Sequence, residues 1–197
     1  MAVDNLNINS SDTELLESFK NGNQNAFNLI VRKYQKKVYW IIRKMVLDHD
    51  DADDITQEVF LKLYRSLSDF RGESKFFTYV YKIAVNFSLN HINRNKKINL
   101  RKSDIDNVNI RSLDKSADEE MNSKERTFIL EEAIKSLPEQ QRAVFNMRYY
   151  DNLTYEEISA ILNKSTGGMK ANYFHAVKKI GKFLKNHSCR LQNTQNT

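Results

Sequence analysis

The sequence predicts an all-α protein built as two small helical domains joined by a flexible polar linker. Three observations predict it. Breakers are scarce, with 5 glycines and 1 proline in 197 residues, and β-branched runs are few, which favours helices. Apolar residues recur at steps of three and four through two long blocks. Between the blocks lies a stretch with no sustained period. The length suits one ordinary domain or two small ones, and 40% apolar residues are enough to form a core.

Residues 1–10 are polar and are expected to be disordered; they lack the apolar centre of a signal peptide. The first block spans 11–97. Ser11 or Asp12 caps a short helix carrying Leu15, Leu16 and Phe19. Phe27, Val31, Tyr34, Val38, Ile41 and Met45 then mark the buried face of a longer helix. Ile55, Val59, Leu63 and Leu67 follow at four-residue steps. The loop DFRGES, Asp69 to Ser74, breaks the pattern, with Gly72 as its turn residue. Phe76, Val80, Ile83 and Phe87 face inward on a fourth helix. Residues 98–123, rich in Asn, Asp and Ser, read as the linker.

The second block spans 124–186. Leu130, Ile134 and Leu137 form one helix, ended by the Leu137–Pro138 step. Pro138 opens the next, with Ala143, Val144 and Met147 inward. The stretch LTYEEISAILNKSTGGMKANYFHAVKKI, Leu153 to Ile180, reads as two helices broken at Asn163–Gly168: a helix-turn-helix. Asn163 suits the left-handed end of the first helix, and Ser165 or Thr166 caps the second. The second helix is expected to bury Met169, Tyr173, Ala176, Val177, Ile180 and Leu184. Residues 187–197 are expected to fray.

Charge and composition narrow the function. The formal net charge of +6 fits a polyanionic partner, although a solvated basic surface gives the same number. The single cysteine, Cys189, cannot form an internal disulfide. No apolar run reaches the ~18 residues of a membrane span. The expected location is cytoplasmic.

Three segments carry chemistry. In the corner at 153–180, Lys170, Asn172, Phe174, His175, Lys178 and Lys179 are left on the uncovered faces of the second helix. Cations for phosphates and short polar groups for base edges are what a major-groove helix needs; the plain alternative is a hairpin with a basic surface. A backbone amide at Gly167–Gly168 is placed to approach a phosphate. In the acidic run Asp48–Phe60, a calcium loop fails because Ala52, Asp53 and Val59 occupy ligand and glycine positions. The acids instead suit a helix N-terminus, leaving Gln57, Glu58 and Leu61 for a partner. In Phe70–Lys97, Phe77, Tyr79 and Tyr81 cannot all share the buried stripe. Beside Arg71, Lys75 and Lys82 they suit stacking on unpaired bases or, equally, packing against the other helices, and the Arg71–Ser74 loop suits a base turned out of the duplex. The basic run Arg94, Lys96, Lys97, Arg101 and Lys102 suits phosphate or solvent.

No catalytic set is present. His49, His91, His175 and His187 are dispersed without ligand spacing, and neither a phosphate-binding GxxxxGK loop nor a GxSxG elbow occurs. No metal, no cofactor and no enzyme activity is expected.

DADDITQEVFLKLY, FRGESKFFTYVYKIAVN and SLPEQQRAVFNMRYYDNLTYEEISAIL, in this order, resemble the three signature segments of bacterial sigma-70 family sigma factors, in the small extracytoplasmic-function (ECF) group. The likeness spans about Ser11 to Leu184. It implies a subunit that binds core RNA polymerase and directs promoter-specific transcription initiation, melting and reading the minus-ten element and reading the minus-thirty-five element. By this resemblance, Asp53, Asp54, Gln57, Glu58, Phe60 and Leu61 bind polymerase. Arg71, Gly72, Glu73, Ser74, Lys75, Tyr79, Lys82 and Asn86 bind minus-ten DNA, with Tyr79 where the family usually has Trp. Thr154, Tyr155, Thr166, Gly168, Lys170, Asn172, Phe174, His175 and Lys178 bind the minus-thirty-five element. An anti-sigma factor is an implied further partner. Lys164 stands where an apolar turn residue is usual, Gly168 for a common Thr, and Asn172 and His175 where Arg is common. A stand-alone helix-turn-helix regulator and a pure interaction module using the Asp53–Phe60 face are the competing readings.

Overall fold

The computed structural model describes residues 6–102 and 119–194, and every regular element among them is a helix. The chain divides into two compact units, Met1–Ile92 and Asn93–Thr197.

In the first unit, α1 (Asp12–Lys20), α2 (Gln24–Val46), α3 (His49–Ser66) and the first part of α4 (Phe76–Lys102) build the fold. Ser11 caps α1 through a reciprocal box: its hydroxyl accepts from the Glu14 amide, and the Glu14 carboxylate accepts from the Ser11 amide at 2.7 Å. That hydrogen bond holds the Glu14 carboxyl below its ordinary range. A depressed carboxylate stabilises the fold above its unfolded pKa and loses that contribution as pH falls through the folded value. We therefore expect the protection factors of amides in the first turn of α1, taken against their intrinsic exchange rates, to fall below about pH 4, and E14Q to flatten that dependence.

The predicted stripes form the core, and the core is wider than the stripes. Tyr34, Val38, Ile41 and Met45 of α2 are buried, joined by Ala26, Leu29, Ile30 and Ile42, while Phe27 and Val31 are half-buried. Ile55, Val59, Leu63 and Leu67 are all buried. Leu47 takes a left-handed conformation (φ 72°) to end α2, and Asp48 caps α3 by accepting from the Asp51 amide at 3.0 Å. On α4 the buried set is Phe76, Val80, Tyr81, Ala84, Val85 and Ser88, with Ile83 and Phe87 half-buried. Tyr34 joins α2 to α4, edge-on to Phe76 at 5.6 Å and stacked on Phe77 at 5.8 Å. Burial, and a hydrogen bond donated to Asp12 at 2.6 Å, push its hydroxyl pKa up.

The second unit contains α5 (Glu119–Lys135), α6 (Glu139–Tyr149), α7 (Tyr155–Leu162) and α8 (Thr166–Thr194). Ala133, Ile134, Leu137, Phe145, Ala176 and Ile180 form its core, with Leu130, Tyr173, Phe183 and Leu184 packed around it. Pro138 stands immediately before α6. Arg142 of α6 is buried, donating to the Lys135 carbonyl at the end of α5 at 3.2 Å, and burial lowers its guanidinium pKa.

Regular backbone extends past several of the bounds expected from the sequence. The helices reach into both ends of the stretch read as linker, since α4 runs to Lys102 and α5 starts at Glu119. No Gly or Pro lies at 98–102 or 119–123, and a helix needs no apolar period to continue its hydrogen bonds. The remainder, 103–118, lies outside the described residues. α8 likewise continues to Thr194 rather than fraying from 187. At the other end, Asn7–Ser10 form a turn closed by the Ser10 amide on the Asn7 carbonyl at 3.0 Å; residues 1–5 lie outside the described set.

Candidate polymerase and nucleic-acid interfaces

On α3 the core stripe leaves an opposite face in water. Asp53, Asp54, Gln57, Glu58 and Leu61 are exposed. Leu61 is 59% exposed, an apolar centre among polar neighbours, which is the composition of a protein-docking patch. Asp53 lies 3.7 Å from His49, one turn earlier on the same helix. Phe60 departs from the expectation. It is 8% exposed and belongs to the core, because a residue one step past Val59 turns toward the neighbouring helices. Its contribution is to hold the helix that carries the patch.

The loop between α3 and α4 forms a second site. Arg71, Gly72, Glu73, Ser74 and Lys75 are all exposed, and Gly72 has φ 76° with open space beside it. Only the backbone requires glycine at this turn. Arg71, Gly72, Ser74 and Lys75 line a cleft of about 530 Å³ whose other wall is α1: Asp12, Thr13, Leu16, Glu17 and Lys20. Lys20 Nζ donates to the Phe70 carbonyl at 2.6 Å, tying the loop to α1. The α1 wall escaped sequence reasoning because the two sides are about fifty residues apart. A cation on α1 reaching a loop carbonyl has no local signature. Phe70, Phe76 and Phe77 floor the cleft.

The aromatic cluster behaves differently from its sequence reading. Tyr81 is 2% exposed and is core. Phe77 stacks on Tyr34. Tyr79 is half-buried, its ring tilted against Phe70 at 4.9 Å and its hydroxyl donating to Ser66 at 2.8 Å. Tyr79 therefore braces Phe70 and lies outside the residues lining the cleft. The three rings find partners because three helices converge on this end, which a single-helix wheel cannot show. Lys75, Tyr79, Lys82 and Asn86 nonetheless fall at steps of four, three and four, on the face of α4 opposite its buried set, and Lys75, Lys82 and Asn86 are exposed.

The corner of α7 and α8 is the third site. Thr154 and Glu157 form a capping box: Thr154 Oγ1 accepts from the Glu157 amide at 3.2 Å, and the Glu157 carboxylate accepts from the Thr154 amide at 2.8 Å. Thr154 thus serves α7 first. Asn163 adopts φ 52°, ψ 49° and ends α7. The break is shorter than expected, because α8 begins at Thr166 and its first turn includes both glycines. Ser165 is the cap. Its hydroxyl accepts from the Gly168 amide at 3.2 Å, so that amide already has a partner. A Cβ on residue 168 would meet the same hydroxyl at 3.2 Å, so glycine keeps the cap close. Lys164 does not loosen the corner: its carbonyl accepts from Ser159 Oγ, and its ammonium reaches Gln140 at 3.2 Å.

Beyond the cap, Lys170, Phe174 and Lys178 recur at four-residue steps, and all three are exposed with His175 beside them. Phe174 is 62% exposed and lies edge-on to His175 at 5.6 Å. Asn172 and Thr166 are half-buried on the flanks. Val177, expected inside, is 45% exposed; it points away from the core, which takes Ala176 and Ile180 instead. Tyr155 is half-buried, with Arg148 5.3 Å and Lys170 5.9 Å from its ring centre. It supports Lys170 by cation–π attraction. Ile158 and Ile161 are the fully buried side chains of α7, and Met169 of α8 is buried as expected.

Among the described residues no helix is long and apolar enough to cross a membrane. Comparison with known proteins matches residues 30–98 to Sigma-70 region 2 and residues 127–180 to Sigma-70, region 4. The RNA polymerase sigma-H factor of Pseudomonas aeruginosa is 33% identical over 183 residues, covering 88% of this chain and 94% of that one. The ECF RNA polymerase sigma-E factor of Escherichia coli is 35% identical over 178 residues, covering 86% and 92%. A solved sigma factor RpoE from Bartonella quintana, in complex with the anti-sigma factor NepR, shares the fold with TM-score 0.61 at 18% identity, over 81% of this chain and 96% of that one. Two regions in family order and 33–35% identity to two sigma factors over most of the chain place it in the sigma-70 family of RNA polymerase sigma factors, within its ECF group.

Proposed function

We propose that this chain binds core RNA polymerase through the outer face of α3, traps a minus-ten base in the cleft between α1 and the Arg71–Lys75 loop, and reads minus-thirty-five duplex with α8. The observation that carries this reading is the cleft, about 530 Å³ with Arg71 and Lys75 at its rim and three phenylalanines in its floor. That is a shape and chemistry for an unstacked base with its phosphates. Lys75, Lys82 and Asn86 continue a strand contact along α4. Lys170, Phe174, His175 and Lys178 face the major groove, and Thr154, Tyr155, Thr166, Gly168 and Asn172 set their position from the cap and flanks.

In this reading the chain makes and breaks no bonds. Polymerase supplies the chemistry, and the sigma factor selects where it starts. A cytoplasmic location follows from that partner. Solved relatives of the same fold are bound to an anti-sigma factor in one case and to the cytosolic domain of a second protein in another, which supports an anti-sigma partner here. Unstacking a base costs a few kcal/mol and stacking returns ~1–3, so the free chain binds promoter DNA weakly.

The test is run-off transcription with core polymerase. Wild type gives promoter-selective transcripts. K170A/K178A, changed at two exposed positions, stays folded, lowers the transcript about tenfold, and reduces the salt slope of duplex binding by about 1.8. A transcript insensitive to that pair, or none from any native promoter, overturns the reading. A stand-alone regulator would instead bind duplex tightly without polymerase.

A further inference from the structure

One surface of the first unit is used by none of the three sites. α2 carries Arg32, Lys33, Lys36, Lys37, Arg43 and Lys44 and no acidic residue along its 23 positions. Lys33, Lys36, Lys37, Trp40, Arg43 and Lys44 follow the i, i+3, i+4, i+7 spacing of one helix face, beside the buried row of Tyr34, Val38, Ile41 and Met45; Lys36, Lys37 and Trp40 are exposed, and Lys33, Arg43 and Lys44 half-buried. In the middle stands Trp40, the chain's single tryptophan, 51% exposed. Tyr39 supports it edge-on at 5.4 Å and is itself pinned by its hydroxyl to His49 Nδ1 at 2.8 Å.

This face begins at the cleft. Lys33 pairs with Asp12 at 2.8 Å, and Lys37 lies 5.6 Å from the Phe77 ring centre. Asp12 and Phe77 both line the cleft. From Lys33 to Lys44 the helix then advances about 16 Å. A row of cations with an exposed indole in the middle, continuous with a base-sized cleft, is a path for a strand. We propose that this face of α2 binds the single-stranded DNA that leaves the cleft, with Lys36 and Arg43 on phosphates and Trp40 stacking on an unpaired base.

Charge argues against the other occupants. The patch on α3 is acidic and suits a basic protein surface; the α2 face repels the same surface. Solvated cations alone need no half-exposed tryptophan. An embedded membrane helix needs an apolar face in lipid, and the apolar face of α2 is already buried. The inference rests on the reading of the cleft as a base trap.

The single tryptophan makes the test direct. Trp40 emission of the full-length chain is titrated with oligothymidylate and with duplex of equal length at low salt. Oligothymidylate is expected to quench it, duplex much less. Read by the anisotropy of labelled oligothymidylate, W40A weakens the single-strand complex about 5- to 150-fold, and K36A/R43A lowers its salt slope by about 1.4. Both variants keep wild-type capture of core polymerase and lose promoter opening. Unquenched Trp40 at saturating oligonucleotide overturns the proposal, and so does a loss of polymerase capture in either variant. R71A/K75A separates the two levels. If that variant opens promoters normally, the base-trap reading fails. If it fails to open them while W40A and K36A/R43A succeed, only the α2 strand path is wrong.

Discussion

Replacing Gln57 and Glu58 together by lysine is expected to leave the chain folded and to weaken capture of core RNA polymerase at least 30-fold. Both side chains are exposed on α3, and lysine is as good a helix former as either, so the helix itself loses nothing. At the docking patch the exchange replaces one negative and one neutral group by two positive ones. A central interface position carries 2 kcal/mol or more when altered, which is about 30-fold in affinity, and opposed charge adds to it. Pull-down of purified core enzyme at increasing salt measures the effect. Retention of wild-type affinity would remove α3 from the interface. Promoter DNA should be bound by the free variant as by wild type, because the cleft and α8 are untouched.

Leu61 and Leu63 give the second large contrast. They are two residues apart on one helix, and the four-residue spacing already puts Leu63 in the buried stripe and Leu61 outside it. Leu63 has no exposed surface, whereas Leu61 is 59% exposed. Leu63→Ala is expected to cost about 2–5 kcal/mol through lost transfer energy and the cavity left behind. For a domain of this size that lowers the melting temperature by roughly 10 °C or more. Leu61→Ala should change stability by less than about 0.5 kcal/mol and weaken polymerase capture. Thermal denaturation and the pull-down, run on both variants, separate the two roles. A Leu61 variant that melts like the Leu63 variant would mean that this leucine is packed and not offered to a partner.

Much of the local structure was legible. Ser11 and Ser165, both among the expected caps, each accept from the amide three residues on. Asn163 and Gly72 take the positive φ values their chemistry allows. These are short-range matters: a cap or a turn is satisfied by atoms within three or four residues, so residue type and spacing decide it. Packing involving several elements was less legible. Spacing gave the centre of the buried stripes of α2 and α3 and underestimated their width, as with Ile42; on α4 it missed the centre, since Tyr81, Ala84 and Val85 are buried while Ile83 and Phe87 are half-buried, because a helix touched by more than one neighbour buries more than one face.

The sequence by itself determined that this is a helical sigma factor and where its caps, turns and signature segments lie, since these depend on local backbone chemistry and on ordered spacing. Only the tertiary structure decided which exposed side chains act together. It moved Phe60 and Tyr81 into the core, set Tyr79 behind Phe70, and brought α1 across some fifty residues to close the cleft. Burial and long-range contact are properties of how helices meet, and no window of sequence contains both partners.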